Sequence, residues 1–275
     1  MLLDIAGCDS LKYMPADMGR LTRLRKLSIF IVGKDNGLNI GELKDLNLAG
    51  ELCIKNLDYV SSRTDAKSAN LLQKEDLNSL GLSWSGEGEE NSKLSEEVLD
   101  GLQPHSNLKK LSVFKYPCSE FPNWMMLPNL VEIVLKNCGR CEHLLPFGEL
   151  KFLKRLHLEG LESVKSIGNE IYGNGEGAAF PELESLSVIR MGGLENWAIV
   201  GGRDLFPVLK SLRLCYCPKL VELPIIDSLI TSSILELEEL PLIPPSVIET
   251  IRKKRLRVAL YVKKAALNFI DAHED

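Results

Sequence analysis

One short phrase of apolar residues recurs along the chain and limits its possible folds more than any other feature of the sequence. The phrase has the form L-x-x-L-x-L-x-x-C-x-x-L, where x is any residue. A unit this short cannot bury its own apolar side, so several units must stack to share one core. The phrase occurs at Leu130, Ile133, Leu135, Cys138, Cys141 and Leu144, and again 23 residues later at Leu153, Leu156, Leu158, Leu161, Val164 and Ile167.

The spacing inside the phrase predicts its local structure. In the L-x-L core the side chains of an extended segment alternate between two faces, so Ile133 and Leu135 face inward while Glu132, Val134 and Lys136 face outward. The later apolar positions, three residues apart, favour a tight turn or short helix that returns over the same core. This is the pattern of a leucine-rich repeat. We therefore predict an α/β solenoid, a curved horseshoe with a parallel β-sheet on its concave face.

Nine repeats can be counted, and they place a leucine-rich-repeat domain at residues 1–240. Leu235 and Leu237 are candidates for a tenth repeat. The first repeat starts with the first residues and has no capping segment before it, which suggests that the chain is the tail of something longer. The inner-strand anchors are Ile5, Ile29, Ile54, Leu82, Val113, Leu135, Leu158, Val188 and Leu214.

Four segments between the repeats have their own patterns. Residues 61–76 are rich in alanine, leucine and long polar side chains, which predicts a helical insertion on the convex side with Ser or Thr as its N-cap. Val98, Leu99 and Leu102 predict a short convex helix. The acidic segment SGEGEENSKLSEE at 85–97 and the glycine-containing segment GNEIYGNGEGAA at 168–179 predict exposed loops.

The last segment, residues 246–275, predicts a basic amphipathic C-terminal helix or tail. Such a helix could close the open end of the solenoid. Alternatively, its cluster RKKRLR at 252–257 could bind an acidic membrane, nucleic acid or an import receptor.

Composition excludes several classes of function. A net charge of −5 gives no general case for nucleic acid as a partner, because such partners usually require a strongly basic face. No apolar run approaches the roughly 18 to 20 residues that span a bilayer, and Asp4 interrupts the apolar start before a secretory signal could form. Seven cysteines without a paired framework fit reduced thiols. We therefore predict a cytoplasmic protein without a transmembrane segment.

Candidate chemical motifs have simpler explanations in the repeat. Cys138 and Cys141 form a C-x-x-C pair, which could be redox-active or half of a zinc site, but both fall in repeat register and no second C-x-x-C completes four ligands. Cys215 and Cys217 form C-x-C, with one residue outward and one inward. The four histidines lie in no catalytic motif. We expect no catalysis, no small-molecule substrate, no metal and no cofactor.

The sequence resembles the C-terminal leucine-rich-repeat region of plant nucleotide-binding, leucine-rich-repeat disease-resistance proteins of the coiled-coil subclass. The resemblance covers residues 2 to about 224, and the helical insertion followed by LNSLGLSW is its most specific part. It is carried by LLDIAGCDSLKYMPADMGRLTRLRKLSIFIVGKD at 2–35, IGELKDLNLAGELCIKNLDYV at 40–60 and DAKSANLLQKEDLNSLGLSW at 65–84.

The resemblance implies recognition of pathogen effectors, or of host proteins that effectors modify, and restraint of an upstream nucleotide-binding switch. The implied partners are therefore an effector, a guarded host protein and the nucleotide-binding domain of such a receptor. The chain has no G-x-x-x-x-G-K-[ST] phosphate loop, so no nucleotide site is assigned to any residue. The alternative is a substrate-receptor or scaffold module of another intracellular complex, such as a ubiquitin ligase.

The outward strand positions are the candidate protein-binding residues, because repeat proteins commonly use the concave side for ligands. An aromatic or arginine side chain on a rigid wall suits a binding hot spot, whereas a merely solvated face is the alternative for any one of them. The candidates are Ser28, Phe30, Lys55, Ser83, Phe114, Lys136, His157, Glu159, Ile189, Arg190, Arg213 and Tyr216.

Overall fold

A computed structural model describes residues 1–5, 11–34, 38–86, 92–174, 177–198, 204–223, 234–253 and 257–261. The chain forms two compact units, Met1–Gly139 and Arg140–Asp275. We call them unit 1 and unit 2. Both consist of parallel strands and the connections that return over them.

In unit 1 the apolar phrase forms strands as predicted. Strands β3 to β7 pair in parallel and in sequence order, and β1 pairs with β2 separately. Leu80, Leu111 and Ile133 lie side by side in the register, so the leucines of successive repeats stack into one core. The strands are β1 (Leu2–Leu3), β2 (Lys26–Leu27), β3 (Ile29–Ile31), β4 (Gly50–Lys55), β5 (Leu77–Ser83), β6 (Lys110–Phe114) and β7 (Glu132–Lys136).

Two α-helices of unit 1 lie in the returning connections. Helix α1 (Arg63–Ser68) begins where the Ser62 hydroxyl accepts a hydrogen bond from the Asp65 N–H at 3.1 Å, which confirms a serine N-cap. It is shorter than the predicted insertion because Asn70 adopts a left-handed conformation, with φ of 53°. Helix α2 (Ser92–Gly101) confirms the predicted convex helix. It also includes residues 92–97, which were predicted to belong to an exposed loop, and Ser95 within them is buried, so the loop prediction is wrong there. Residues 87–91 of that loop lie outside the described part. The 3₁₀ turns are Met18–Arg20, Ile40–Leu43, Leu57–Tyr59, Leu71–Gln73 and Asn123–Met125.

Unit 2 repeats the same architecture. Strands β8, β10, β12, β13 and β14 pair in parallel in that order, and β9 pairs with β11 in a small second sheet. The elements are a 3₁₀ turn at Phe147–Glu149, β8 (Arg155–Glu159), β9 (Ser166–Ile167), α3 (Asn169–Tyr172), β10 (Ser185–Ile189), β11 (Asn196–Trp197), β12 (Ser211–Cys215), β13 (Ile234–Glu238), α4 (Pro245–Lys253) and β14 (Arg257–Tyr261).

The end of the described chain confirms one prediction and differs from another. Leu235 and Leu237 pair with Leu212 and Leu214 and are buried, so the tenth repeat is present. Beyond it, the predicted C-terminal helix is only partly a helix: α4 ends at Lys253, and β14 pairs with β13. The free edge of β13 offers backbone partners to a strand, which outweighs the helical pattern. Residues 254–256 and 262–275 lie outside the described part. The role of the cluster RKKRLR at 252–257 and the separation of the C-terminal segment from residues 1–240 therefore stay predictions.

The second repeat departs from the predicted phase. Phe30 was expected to face outward, but it is 0 % exposed and pairs with the inward residue Ile54. The strand is interrupted at Ser28, whose hydroxyl accepts a hydrogen bond from the Ile5 N–H at 2.9 Å. The inward positions Leu27 and Phe30 are therefore three residues apart instead of two, as in a bulge. The prediction that Phe30 faces a partner is wrong. The predicted inward anchor Ile29 is wrong as well, because it pairs with the outward residue Cys53.

Candidate recognition surface

The face of each sheet opposite the leucine core is the candidate recognition surface, and we call it the open face. In β7, Ile133 and Leu135 are fully buried, whereas Glu132, Val134 and Lys136 are half-buried, as the alternation predicts. Of the predicted residues, Arg190, Arg213 and Tyr216 are exposed, Ser28, Lys55, Ser83, Phe114, Lys136, His157 and Ile189 are half-buried, and Phe30 and Glu159 are buried.

A left-handed residue follows most of the open-face strands. Its N–H continues the ladder to the next strand, as when the Lys115 N–H donates to the Lys136 carbonyl at 2.9 Å and the Tyr216 N–H donates to the Glu238 carbonyl at 2.8 Å. The repeated conformation ends the alternation and turns the chain off the sheet. These residues are Asn56, Lys115, Asn137, Gly160, Arg190, Tyr216 and Glu239, with φ between 52° and 67°.

In unit 1 the carboxyl ends of four strands form a row of side chains that we call the basic row: Lys55, Ser83, Phe114 and Lys136. Ser83 pairs with Phe114 and Phe114 with Lys136. Ile54 pairs with Leu82, which places Lys55 beside Ser83. Lys115 follows Phe114 at the left-handed position, and its ammonium donates to the Ser85 carbonyl at 2.9 Å. The row contains two lysines and a half-exposed aromatic ring, and no carboxylate.

The middle of the open face of unit 1 carries only small side chains, so little protrudes from the sheet there. Cys53, Gly81 and Ser112 are neighbours across β4, β5 and β6. A Cβ atom on Gly81 would lie 3.1 Å from the Cys53 Sγ, so the thiol occupies the space that a side chain would need. Burial raises the pKa of the Cys53 thiol, and the charge of Lys55 opposes that rise. At the amino ends, Lys110 and Glu132 form an ion pair at 2.7 Å.

In unit 2 a buried carboxylate organises the open face. Glu159 is 8 % exposed, and it accepts hydrogen bonds from Arg190 and from the His157 ring nitrogen Nε2, the latter at 3.0 Å. The Glu159 side chain was predicted to be available to a partner, but Arg190 and His157 cover it. The two covering side chains remain accessible, so they are the groups that can meet a partner here.

A second polar cluster lies on β12 and β13. Arg213 forms an ion pair with Glu236 at 3.2 Å, and the Tyr216 hydroxyl donates to Glu238 at 2.5 Å. The hydrogen bond to Glu238 raises the pKa of Tyr216. Glu236 and Glu238 are not among the predicted residues, because the tenth repeat lacks the full apolar phrase that would locate them.

The same cluster brings together the donor atoms of Cys215, Glu236 and Glu238, which lie within 4.8 Å of one another. Sulfur and carboxylate oxygens can hold a metal ion, but Arg213 already supplies positive charge to the group through its bonds to Glu236 and Cys215. Burial raises the pKa of the Cys215 thiol, and the hydrogen bond with Arg213 opposes the rise. The arrangement therefore fits a guanidinium better than a metal ion.

The C-x-x-C pair lies in the core, which confirms its explanation by repeat register. Cys138 and Cys141 are both 0 % exposed. Burial raises the pKa of Cys138 to about 12, so its thiol stays protonated and unreactive near neutral pH. The Cys141 thiol donates to the His143 carbonyl at 3.1 Å.

The glycine-containing segment after β9 is more ordered than predicted. Asn169–Tyr172 form the short helix α3, and both Ile171 and Tyr172 are buried. The indole N–H of Trp197 donates to the Tyr172 hydroxyl at 2.9 Å. The Tyr172 ring also packs edge-on against Phe180 and Phe206. An aromatic residue inside a glycine-rich segment was the available signal for this packing.

None of the helices in the described part of the chain has the length and apolar composition that a bilayer crossing requires.

Comparison with known proteins agrees with this architecture. Residues 40–161 match the family R13L1/DRL21 LRRs, which spans helices α1 and α2 and strands β4 to β8. The protein RGA1 of Solanum bulbocastanum, named a disease resistance protein, is 38% identical over 230 residues, which cover 82% of this chain and 23% of RGA1. The chain belongs with the leucine-rich-repeat regions of plant disease resistance proteins.

Further relatives have the same character. The disease resistance protein RGA2 of Solanum bulbocastanum is 37% identical over 209 residues, covering 73% of this chain and 22% of RGA2. The leucine-rich-repeat domain of the type III effector XopL is similar in structure, with a TM-score of 0.42 and 19% identity, over 90% of this chain and 78% of that domain. This chain spans about a quarter of the length of the curated relatives that it matches.

Proposed function

We propose that this leucine-rich-repeat chain is a non-catalytic recognition and regulatory module of a plant innate-immune receptor. It binds protein through its open face, senses pathogen effectors or host proteins that they modify, and restrains an upstream nucleotide-binding switch in the cytoplasm. The observation that carries the proposal is the 38% identity to RGA1 across 82% of the chain.

The geometry of the open face supports binding in preference to chemistry. Its titratable side chains in unit 2 are engaged in hydrogen-bonded pairs, as Glu159 is with Arg190 and His157, which positions charge without activating a nucleophile. Charged and aromatic side chains on rigid strands are typical of protein-binding surfaces. Such side chains and their backbone are already ordered, so they lose little conformational entropy when a partner binds.

The test is a pull-down with the purified chain. A nucleotide-binding domain from a receptor such as RGA2 is added in trans, with and without plant cell extract. Capture of that domain, lost in the open-face variant Phe114→Asp and retained in the helix variant Lys93→Glu, is the expected result.

Two outcomes would contradict parts of the proposal. Failure to capture the domain, with an E3-ligase component captured instead, would favour a substrate-receptor module and overturn the restraining role. Equal capture by the wild-type chain and by correctly folded Phe114→Asp would exclude the open face of unit 1 as the contact.

A further inference from the structure

A groove of about 740 Å³ lies among the returning connections of unit 1, at the carboxyl end of α2. We call it the helix groove. Three parts of the unit line it: α1 with the 3₁₀ turn Leu71–Gln73, the end of α2 with the residues that follow, and the segment 120–124. Its volume falls within the range of roughly 300–1,000 Å³ that is typical of small-molecule sites.

The parts that line the helix groove are tied to one another. The Arg63 guanidinium on α1 pairs with Asp100 on α2. A Cβ atom on Gly101 would lie 2.7 Å from the Arg63 carbonyl oxygen, so the two helices touch there. In the third part, the Trp124 indole N–H donates to the Leu99 carbonyl of α2 at 3.1 Å. The groove is therefore held in shape before a ligand arrives, which lowers the entropic cost of binding.

Four side-chain amides line the helix groove, and none of them makes a hydrogen bond within the described part of the chain. They belong to Asn70, Gln73, Gln103 and Asn123. Each amide offers an acceptor oxygen next to a donor NH₂ group. A hydroxyl group both donates and accepts, so a ligand with several hydroxyls can use both halves of every amide.

The charges of the helix groove cancel. Arg63 and Asp100 neutralise each other as a pair. Lys67 and Glu120 have opposite signs, and neither forms an ion pair with another described residue. The lining therefore offers no net field that would select an anion or a cation, and it suits a neutral ligand.

An apolar patch completes the lining of the helix groove. Leu72 is 50 % exposed and Trp124 is half-buried, whereas Phe121 is buried and stacks on Tyr116 with ring centroids 5.5 Å apart. Because the Trp124 N–H is already bound to Leu99, the indole offers a ligand apolar surface and no donor. A sugar ring combines an apolar face of C–H groups with hydroxyls around its rim, which matches this combination of patch and amides.

The lining fits a sugar better than a peptide. Peptides commonly dock as an added strand on a sheet edge, as a helix in a continuous apolar groove, as a polyproline helix on several aromatic rings, or through phosphate groups at arginine clusters. The described lining contains no strand and a single half-exposed aromatic ring. Its one arginine is paired with Asp100, and amides interrupt its apolar patch.

From these observations we propose that the helix groove binds a neutral oligosaccharide. The hydroxyl groups bond to the four amides, and one sugar ring packs against Trp124 and Leu72. The site is separate from the open face and does not depend on the protein partner of the proposed function. A bound sugar ties α1, α2 and the turn Asn123–Met125 together, so it stabilises the folded chain.

The test uses the intrinsic fluorescence of the full chain. Of its three tryptophans, Trp84 and Trp197 are 1 % and 2 % exposed, so Trp124 is the one that a ligand can reach. The probes are trisaccharides of α-linked glucose, β-linked glucose, mannose and galactose. At least one of them should change the emission in a saturable way with a Kd below about 1 mM. At saturation it should also raise the urea midpoint of unfolding.

Removal of amides tests which groups hold the sugar. The double variant Gln73→Ala/Gln103→Ala keeps Trp124 and every charge, and it should weaken binding of that trisaccharide at least about tenfold because two hydrogen-bonding groups are lost. The matched variant Asn78→Ala/Asn196→Ala removes two exposed amides outside the groove and should change binding less than about twofold.

Controls separate folding and ligand class. Urea midpoints without ligand establish that the variants fold, and Leu72→Ala, which keeps every amide, supplies a further variant with an expected loss of several-fold. No saturable emission change with any of the four trisaccharides, or equal binding by the two double variants, would overturn the proposal. Tighter binding of the neutral peptide Ala-Leu-Ser-Gly-Ala, lost in Gln73→Ala/Gln103→Ala, would also overturn it in favour of a protein segment.

Discussion

Lys74 is a buried ammonium group that fastens one repeat of unit 1 to the preceding one. Its Nζ donates to the carbonyl oxygens of Leu43, Lys44 and Leu46 at 2.8, 3.4 and 2.7 Å. Burial lowers the pKa of Lys74 to about 8, and the charge of Asp45 opposes the shift. The ammonium therefore stays largely charged at neutral pH, held by three peptide dipoles in place of water.

Replacing Lys74 by Met should destabilise the chain by about 2–3 kcal/mol at pH 7, because buried carbonyls lose their donor. Lys44→Met is the matched control. The Lys44 side chain is exposed, so its loss should change stability by less than about 0.5 kcal/mol. Urea denaturation followed by circular dichroism measures both. Equal midpoints for the two variants would contradict a structural role for the Lys74 ammonium.

The buried thiol of Cys138 should make the chain less stable as the pH rises into the alkaline range. Its pKa is raised by burial to about 12 from an ordinary value of 9.0. Above pH 9 the unfolded chain loses this proton while the folded chain keeps it, so stability is full below pH 9 and falls as the pH rises towards 12. At pH 10 the loss from this thiol is on the order of 1 kcal/mol.

The measurement compares the wild-type chain with Cys138→Ala between pH 8 and pH 10. Other groups that titrate in this range, including Lys74 and Cys118, are present in both chains and cancel in the difference. The wild-type chain should lose about 1 kcal/mol more than the variant over this range. Parallel pH profiles would show that the Cys138 thiol ionises as easily in the folded chain as in the unfolded one.

At the scale of elements, unit 2 depends on a close approach between neighbouring connections. A Cβ atom on Gly193 would lie 2.0 Å from the backbone carbonyl oxygen of Glu162, whereas a Cβ atom on the adjacent Gly192 would meet nothing within 4 Å. Because the obstacle is backbone, no side-chain rotation relieves it. The missing side chain at Gly193 thus sets how tightly the connections after β8 and β10 pack.

Gly193→Ala should therefore destabilise unit 2 by about 2–3 kcal/mol, and Gly192→Ala should be within about 0.5 kcal/mol of the wild-type chain. Thermal unfolding of the two variants, which differ by one position, gives the comparison directly. A midpoint for Gly193→Ala equal to that of Gly192→Ala would mean that the two connections separate without cost.

The sequence predicted the strands and their faces well because a period of two and a fixed repeat length leave few alternatives. Leu111, Ile133, Leu156, Leu186 and Leu212 all occupy the inward positions that the phrase assigns. It failed where a backbone interaction outside the phrase decides the outcome. No apolar pattern reports that Ser28 interrupts its strand, and this interruption is what turns Phe30 inward.

The sequence predicted which residues lie on the candidate surface, but it did not predict which of their side chains contact one another. The outward residues of β6, β7 and β12 lie where alternation places them. Alternation cannot tell that Arg190 bends back to cover Glu159, because the left-handed turn after β10 sets its direction. The strand β14 was missed for a related reason, since its pairing depends on the edge of β13.

Across the whole molecule, we propose that the open face carries recognition and that the helices on the other side of the strands have a structural role. Within unit 1, lysines lie both on the open face and on the helices, so their reactivity can show which of these two surfaces a partner covers. Lys55, Lys115 and Lys136 belong to the open face, whereas the exposed Lys67 and Lys93 lie on α1 and α2. The acetylation rate of each amine by a water-soluble reagent falls when a bound partner covers it.

The most direct test is therefore lysine footprinting of the chain, alone and with the protein captured in the pull-down, by mass spectrometry of acetylated peptides. We expect acetylation at Lys55, Lys115 and Lys136 to slow at least about fivefold in the complex, while the rates at Lys67 and Lys93 stay unchanged. Protection confined to Lys67 and Lys93, with Lys55, Lys115 and Lys136 labelled at their original rates, would contradict the assignment of recognition to the open face.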